Sequence, residues 1–154
     1  MTDVVFNADL IILLDGKNTY KDVETLLAER LVQLGYAKDS FPKAIVSREE
    51  NFPTALDVGG YNAAIPHCDV DNVVTPAICV GILQEPVEWR RMDDPDEMCG
   101  VSLVVMLALT EPHSHIGMLQ QVVALIQDQE LIGRVVLVKS ANEAFSLLAS
   151  RLNA

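Results

Sequence analysis

Residues 101–109 read Val-Ser-Leu-Val-Val-Met-Leu-Ala-Leu. Side chains on a strand alternate between two faces, and this run is apolar on both. Such a strand must be covered on each side, so it belongs in a sheet between two layers of helices. The run is about half the length needed to span a bilayer, roughly 20 residues. No apolar run in the chain reaches that length.

The segments around it fit a layered domain. The short apolar run at 10–14 closes on Asp15-Gly16, a turn signal, and reads as a strand. Residues 19–34 carry Val23, Leu26, Leu27, Leu31 and Leu34 at helical spacing. Thr19 and Asp22 open this helix in the manner of a capping box, and Gly35 stands at the C′ position. A second helix is expected over 40–49, with Ser40 as its cap and Pro42 in its first turn. Strands are expected at 63–66 and 76–83, with an edge strand at 86–89 because that run opens on Pro86. The acidic segment 93–97 reads as a solvated turn. Helices follow from 115 or 116 to 127, over 129–138, and after Ser140, which forms a capping box with Glu143. The expectation is one α/β domain over 1–154, a mixed central sheet flanked by helices on both faces.

Charge narrows the partners. The net charge is −11, which disfavours nucleic acid and anionic membrane surfaces, both of which need a basic face. The first residues, with Asp3 and Asp9, lack the basic start of a secretion signal. Cys68, Cys79 and Cys99 form no CxxC pair, and the count is odd. Reduced thiols and a cytoplasmic location are therefore expected.

The chemistry gathers around Ala64-Ile65-Pro66-His67-Cys68. A proline biases the residue before it toward extended geometry, so this segment reads as a short strand that presents an imidazole at its rim. Upstream stands Arg48-Glu49-Glu50-Asn51-Phe52-Pro53-Thr54, and after the long buried strand comes Pro112-His113-Ser114-His115. Strand ends share a sheet rim, so His67 and His115 can face each other there, with Arg48 near both if its helix packs at that rim. A neutral imidazole nitrogen is a nucleophile toward phosphorus. Arginine offers an always charged donor fork to phosphate oxygens, and a second histidine adds a donor. No P-loop, kinase glycine loop or dinucleotide fingerprint is present, so the phosphate is expected from a protein donor, with no cofactor.

Arg48-Glu49-x-x-Phe52-Pro53-Thr54, Ala64-Ile65-Pro66-His67, Pro76-Ala77, Pro86-Val87, the 101–108 strand and His115 before an amphipathic helix together resemble the enzyme IIA domain of the fructose/mannitol class. That class belongs to the phosphoenolpyruvate-dependent sugar phosphotransferase system. The Ile-Pro-His-Cys sequence and the acidic segment at 93–96 are most similar to the galactitol-specific branch. The resemblance implies that His67 is the phosphoacceptor, carried as tele-phosphohistidine, with Arg48 and His115 as its active-site partners. It implies phosphate from HPr, delivery to a cysteine of enzyme IIB, and sugar entry through a membrane enzyme IIC. His113 has no counterpart in the family.

Other readings of the same residues stand beside this one. Some members of the family act as regulatory phosphoproteins that bind proteins outside the transport system. His67, His113 and His115 have spacing compatible with a metal, but nothing else supports one. Cys68 follows His67 on an extended segment and points to the opposite face, which argues against a cysteine nucleophile. Phe52, Ile65, Ile116 and Met118 are expected to form an apolar collar around the histidine.

Overall fold

The computed structural model describes residues 4–152, and the side chains of residues 112–115 lie outside that description. The apolar run becomes the core of β5 (Met98–Ala108), the middle strand of a five-stranded sheet with order β1-β4-β5-β3-β2. Residues 101–108 are all buried, whichever face they occupy. β1 (Ile11–Leu14) pairs parallel to β4 (Ala77–Arg90), which pairs antiparallel to β5. β3 (Asn62–Ala64) lies parallel to β5, and β2 (Ala55–Leu56) antiparallel to β3. The sheet is mixed, as expected.

Two groups of helices cover it. α1 (Tyr20–Gln33) packs on β4 and β5, with α2 (Phe41–Asn51) against it. α3 (Pro112–Gln127), α4 (Gln129–Val135) and α5 (Ala141–Leu152) pack on one another, and α5 also packs on β1. Among these helices none is long and apolar enough to cross a membrane.

Local chemistry sets the boundaries. The Thr19 hydroxyl accepts from Asp22 N at 3.1 Å and starts α1. Gly35 ends it with φ +83°, the left-handed conformation that a C′ glycine adopts without strain. Val23, Leu27 and Leu31 are buried as expected, whereas Leu26 and Leu34 face solvent. Ser140 Oγ caps α5 at Glu143 N, 3.2 Å.

Three expectations need correction. Ser40 makes no cap bond; its hydroxyl turns to Asn72 Oδ1 at 2.8 Å. The runs at 76–83 and 86–89 are a single strand, β4. Gln84, Glu85 and Pro86 are accommodated where its register with β5 shifts, between Ile82 and Val87. Gly100 pairs with Glu88 just beyond this irregularity, and a Cβ there would lie 3.2 Å from the Pro86 Cβ. The third helix begins at Pro112, ahead of the expected start at 115 or 116.

Candidate functional site

The last turn of α2 sends three consecutive side chains in three directions. Phe41, Ile45 and Glu49 stand at i, i+4 and i+8 and are all buried. Glu49 therefore projects into the core. Arg48, beside it, lays its guanidinium over the Phe52 ring, 4.8 Å from the centroid. Glu50 turns outward to the Tyr20 hydroxyl at 2.7 Å and to Lys21 at 3.2 Å.

Beyond β3 the chain runs on beside the end of β5. Leu107 N donates to Pro66 O at 3.0 Å, and His67 forms a parallel bridge with Leu107. The proline lacks an N–H to donate, and pairing stops here. His67 is thus left half-buried at the sheet margin, at the end from which β5 leads into α3.

His67 Nδ1 lies 2.9 Å from Ile65 O. A carbonyl oxygen only accepts, so Nδ1 carries the proton and Nε2 carries the lone pair. Burial pushes the ring's pKa down, and the Arg48 charge adds to this against the carbonyl bond. The imidazole is neutral at neutral pH, the form in which its nitrogen is a nucleophile.

Among the described residues, no carboxylate pairs with Arg48, and its buried Nε has no hydrogen-bond partner. Arg48 lines an open cavity of about 280 Å³ with Asn51, Phe52, Cys68, Asp69 and Asn72. The guanidinium is available to an anion brought to this rim.

A network below the histidine was not anticipated. Glu49 Oε2 accepts from Thr54 N at 2.7 Å and from Trp89 Nε1 at 2.9 Å, while Thr54 Oγ lies 2.9 Å from Oε1. Thr54 Oγ in turn accepts from Ile65 N at 3.1 Å. The available signal was a glutamate on the apolar stripe of α2, five residues before a threonine in the same motif.

Arg48 lies close enough to His67 for its charge to act on the ring. His115 and His113 lie outside the described side chains, so the metal set that includes them does too. Among the described residues no three His, Cys, Asp or Glu side chains converge on one point. Cys68 is buried, with its thiol pushed up to about 12 by burial and by Asp69, which keeps it protonated and a poor nucleophile. All three cysteines are free. The collar is only partly realised. Phe52 and Ile116 are exposed, at 62% and 65%, Met118 is half-buried, and Ile65 is core. The 93–97 segment is the turn between β4 and β5, and Asp93 pairs with Arg91 at 2.6 Å.

Against known proteins, the profile of the family "Phosphoenolpyruvate-dependent sugar phosphotransferase system, EIIA 2" matches residues 4–151. The galactitol-specific EIIA component of Escherichia coli K12 is 26% identical over 111 residues, 72% of this chain and 73% of that protein. The crystal structure of Escherichia coli mannitol IIA has 25% identity and TM-score 0.76, covering 94% of this chain and 99% of that one. The same fold appears in the complex of Escherichia coli mannitol IIA with phosphorylated mannitol IIB. There the identity is 24% and the TM-score 0.77, covering 96% of this chain and 99% of that chain.

Proposed function

This chain belongs to the EIIA 2 family of the phosphoenolpyruvate-dependent sugar phosphotransferase system, and from that premise we propose that His67 is its phosphoacceptor. It takes a phosphoryl group from HPr and gives it to a cysteine of enzyme IIB, in the service of galactitol uptake through a membrane enzyme IIC. The observation that carries this reading is the Nδ1 bond to Ile65 O at 2.9 Å. It leaves the nucleophilic lone pair on Nε2.

In the first transfer the Nε2–P bond forms as the N–P bond to the HPr histidine breaks. The bonding pair leaves with the HPr imidazole. Positive charge grows on the His67 ring, and the Ile65 carbonyl stabilises it through Nδ1–H. Arg48 meets the phosphoryl oxygens, and His115 supplies a further donor to them. Little covalent work is left to the protein, so positioning and charge dominate. In the second transfer a cysteine thiolate of IIB attacks phosphorus. An S–P bond forms, and the Nε2–P pair returns to His67. Phe52 and Ile116 give the rim an apolar edge on which successive protein partners dock.

Two relationships support the finer assignment. The galactitol-specific protein from Escherichia coli matches over most of both chains, and a structural relative is seen bound to its phosphorylated IIB. Incubation with phosphoenolpyruvate, enzyme I and HPr is expected to add one acid-labile phosphate. His67→Ala abolishes uptake, and Arg48→Ala slows it about 100-fold. Uptake by His67→Ala at the normal rate overturns the assignment. Transfer onward to a galactitol-type IIB supports the substrate. Failure with every IIB tested, together with a stable complex with a protein outside the system, supports the regulatory reading instead.

A further inference from the structure

We propose that Glu49 and Thr54 are positioning residues for His67, fixing its reactive nitrogen through the backbone of Ile65. The proposal rests on His67 being the phosphoacceptor.

Each link in the network has one possible direction. The Trp89 indole N–H and the Thr54 backbone N–H can only donate, so Glu49 Oε2 accepts from both, at 2.9 and 2.7 Å. The Ile65 N–H can only donate, so Thr54 Oγ accepts it at 3.1 Å. The Thr54 hydroxyl proton then points to Glu49 Oε1, 2.9 Å away. The Ile65 carbonyl can only accept, so His67 Nδ1 donates to it at 2.9 Å.

The chain of bonds thus runs from a core indole to the reactive ring, the Thr54 hydroxyl lying 2.9 Å from Glu49 Oε1 and 3.3 Å from Oε2. Glu49, Thr54 and Ile65 are all buried, so no water substitutes freely for a missing partner. Leu107 N holds the next peptide at Pro66 O, 3.0 Å. The Ile65 residue is therefore pinned on both sides, and its carbonyl direction is set by Thr54 on one of them. Without the hydroxyl, the buried Ile65 N–H must find another partner, and the peptide between Ala64 and Ile65 turns to reach it. The accompanying change in the Ile65 backbone angles swings its carbonyl, in the following peptide, away from Nδ1, and the ring loses its preference for the tautomer with Nε2 unprotonated.

The substitutions separate position from packing. Thr54→Val keeps the shape and removes the hydroxyl; Thr54→Ser keeps the hydroxyl. Glu49→Gln keeps the shape and turns a donor toward Thr54 Oγ, leaving the threonine proton only the longer contact to the remaining oxygen, 3.3 Å. The first readout is ¹⁵N NMR of the His67 imidazole in unphosphorylated protein. Wild type is expected to show the Nδ1–H tautomer. Thr54→Val and Glu49→Gln are expected to show a mixture, and Thr54→Ser to restore the single form.

The second readout is phosphoryl uptake from phosphorylated HPr. Thr54→Val is expected to lower the saturating rate at least tenfold with half-saturation unchanged, and Thr54→Ser to recover most of it. Folded Thr54→Val with the wild-type tautomer and rate overturns the proposal; if that variant fails to fold, Glu49→Gln decides by the same criteria. Phosphate uptake by His67→Ala overturns the phosphoacceptor assignment instead. It leaves the tautomer result unaffected, so the two failures are distinguishable.

Discussion

Glu24 and Glu49 stand on the two helices that pack against each other, and both are buried. Glu49 receives two backbone and side-chain N–H groups and a hydroxyl. Glu24 is 0% exposed, and neither of its oxygens has a hydrogen-bond partner among the described residues. Burial and then repulsion from Glu49 and Glu50 push its pKa up to about 9. Burial also raises Glu49, but Trp89 and Thr54 act against the rise. One carboxyl is built into the frame of the site, and the other is held in the core as a neutral acid. The difference lies in the donors each can reach.

The largest effect is expected at the supplied carboxylate. Glu49→Ala strands the Trp89 indole N–H and both Thr54 donors, and costs about 4 kcal/mol. Urea denaturation at pH 7 measures it; a cost below about 1 kcal/mol breaks the contrast, because lost hydrogen bonds at a buried site exceed that.

The next effect has the opposite sign. Glu24→Leu fills the same space without a buried polar group, and is expected to gain about 3 kcal/mol at pH 8. The folded pKa of Glu24 is raised, so folding takes up a proton between its unfolded value of about 4.5 and its folded value of about 9. Its contribution to stability is therefore lost as pH rises through that window. The advantage of Glu24→Leu should shrink as pH falls toward the unfolded value. Denaturation series at several pH values check this, and an advantage independent of pH contradicts the assignment of a buried neutral acid.

Glu50, half-buried at the same helix end, sets the small end of the scale. Its pKa is lowered by hydrogen bonds from Tyr20 and Lys21. Tyr20→Phe removes one of these in a partly solvated setting, and is expected to cost about 0.5 kcal/mol. A loss as large as that of Glu49→Ala would show that burial does not separate these carboxylates.

How much was legible in the sequence follows the same division. β5 was readable because residues 101–109 are apolar on both faces, and only a covered strand satisfies that pattern. The start of α1 was readable because Thr19 caps it locally. β4 reads as two strands in the sequence, since Gln84-Glu85-Pro86 has the composition of a turn. Its continuity depends on a register shift opposite residues 101–103, which only pairing with β5 reveals. Ser40 also lost its cap role to a partner distant in sequence, Asn72.

In the site, residue type and motif single out His67 and Arg48 as candidates. Thr54 stands within the motif, but its residue type and spacing assign it no role. Its bond to Ile65 N crosses from the end of α2 to the end of β3, and spacing does not encode such a contact. Glu24 gave no sign of its burial, because a glutamate in an amphipathic helix ordinarily faces water.

The central claim is that Nε2 of His67 is the phosphorylated atom, selected by the proton held on Nδ1. Phosphorylate ¹⁵N-histidine-labelled protein with phosphoenolpyruvate, enzyme I and HPr, and record ³¹P–¹⁵N couplings. One phosphorus coupled to Nε2 of His67 is the predicted result. Phosphorus on Nδ1, or on any other residue, contradicts it.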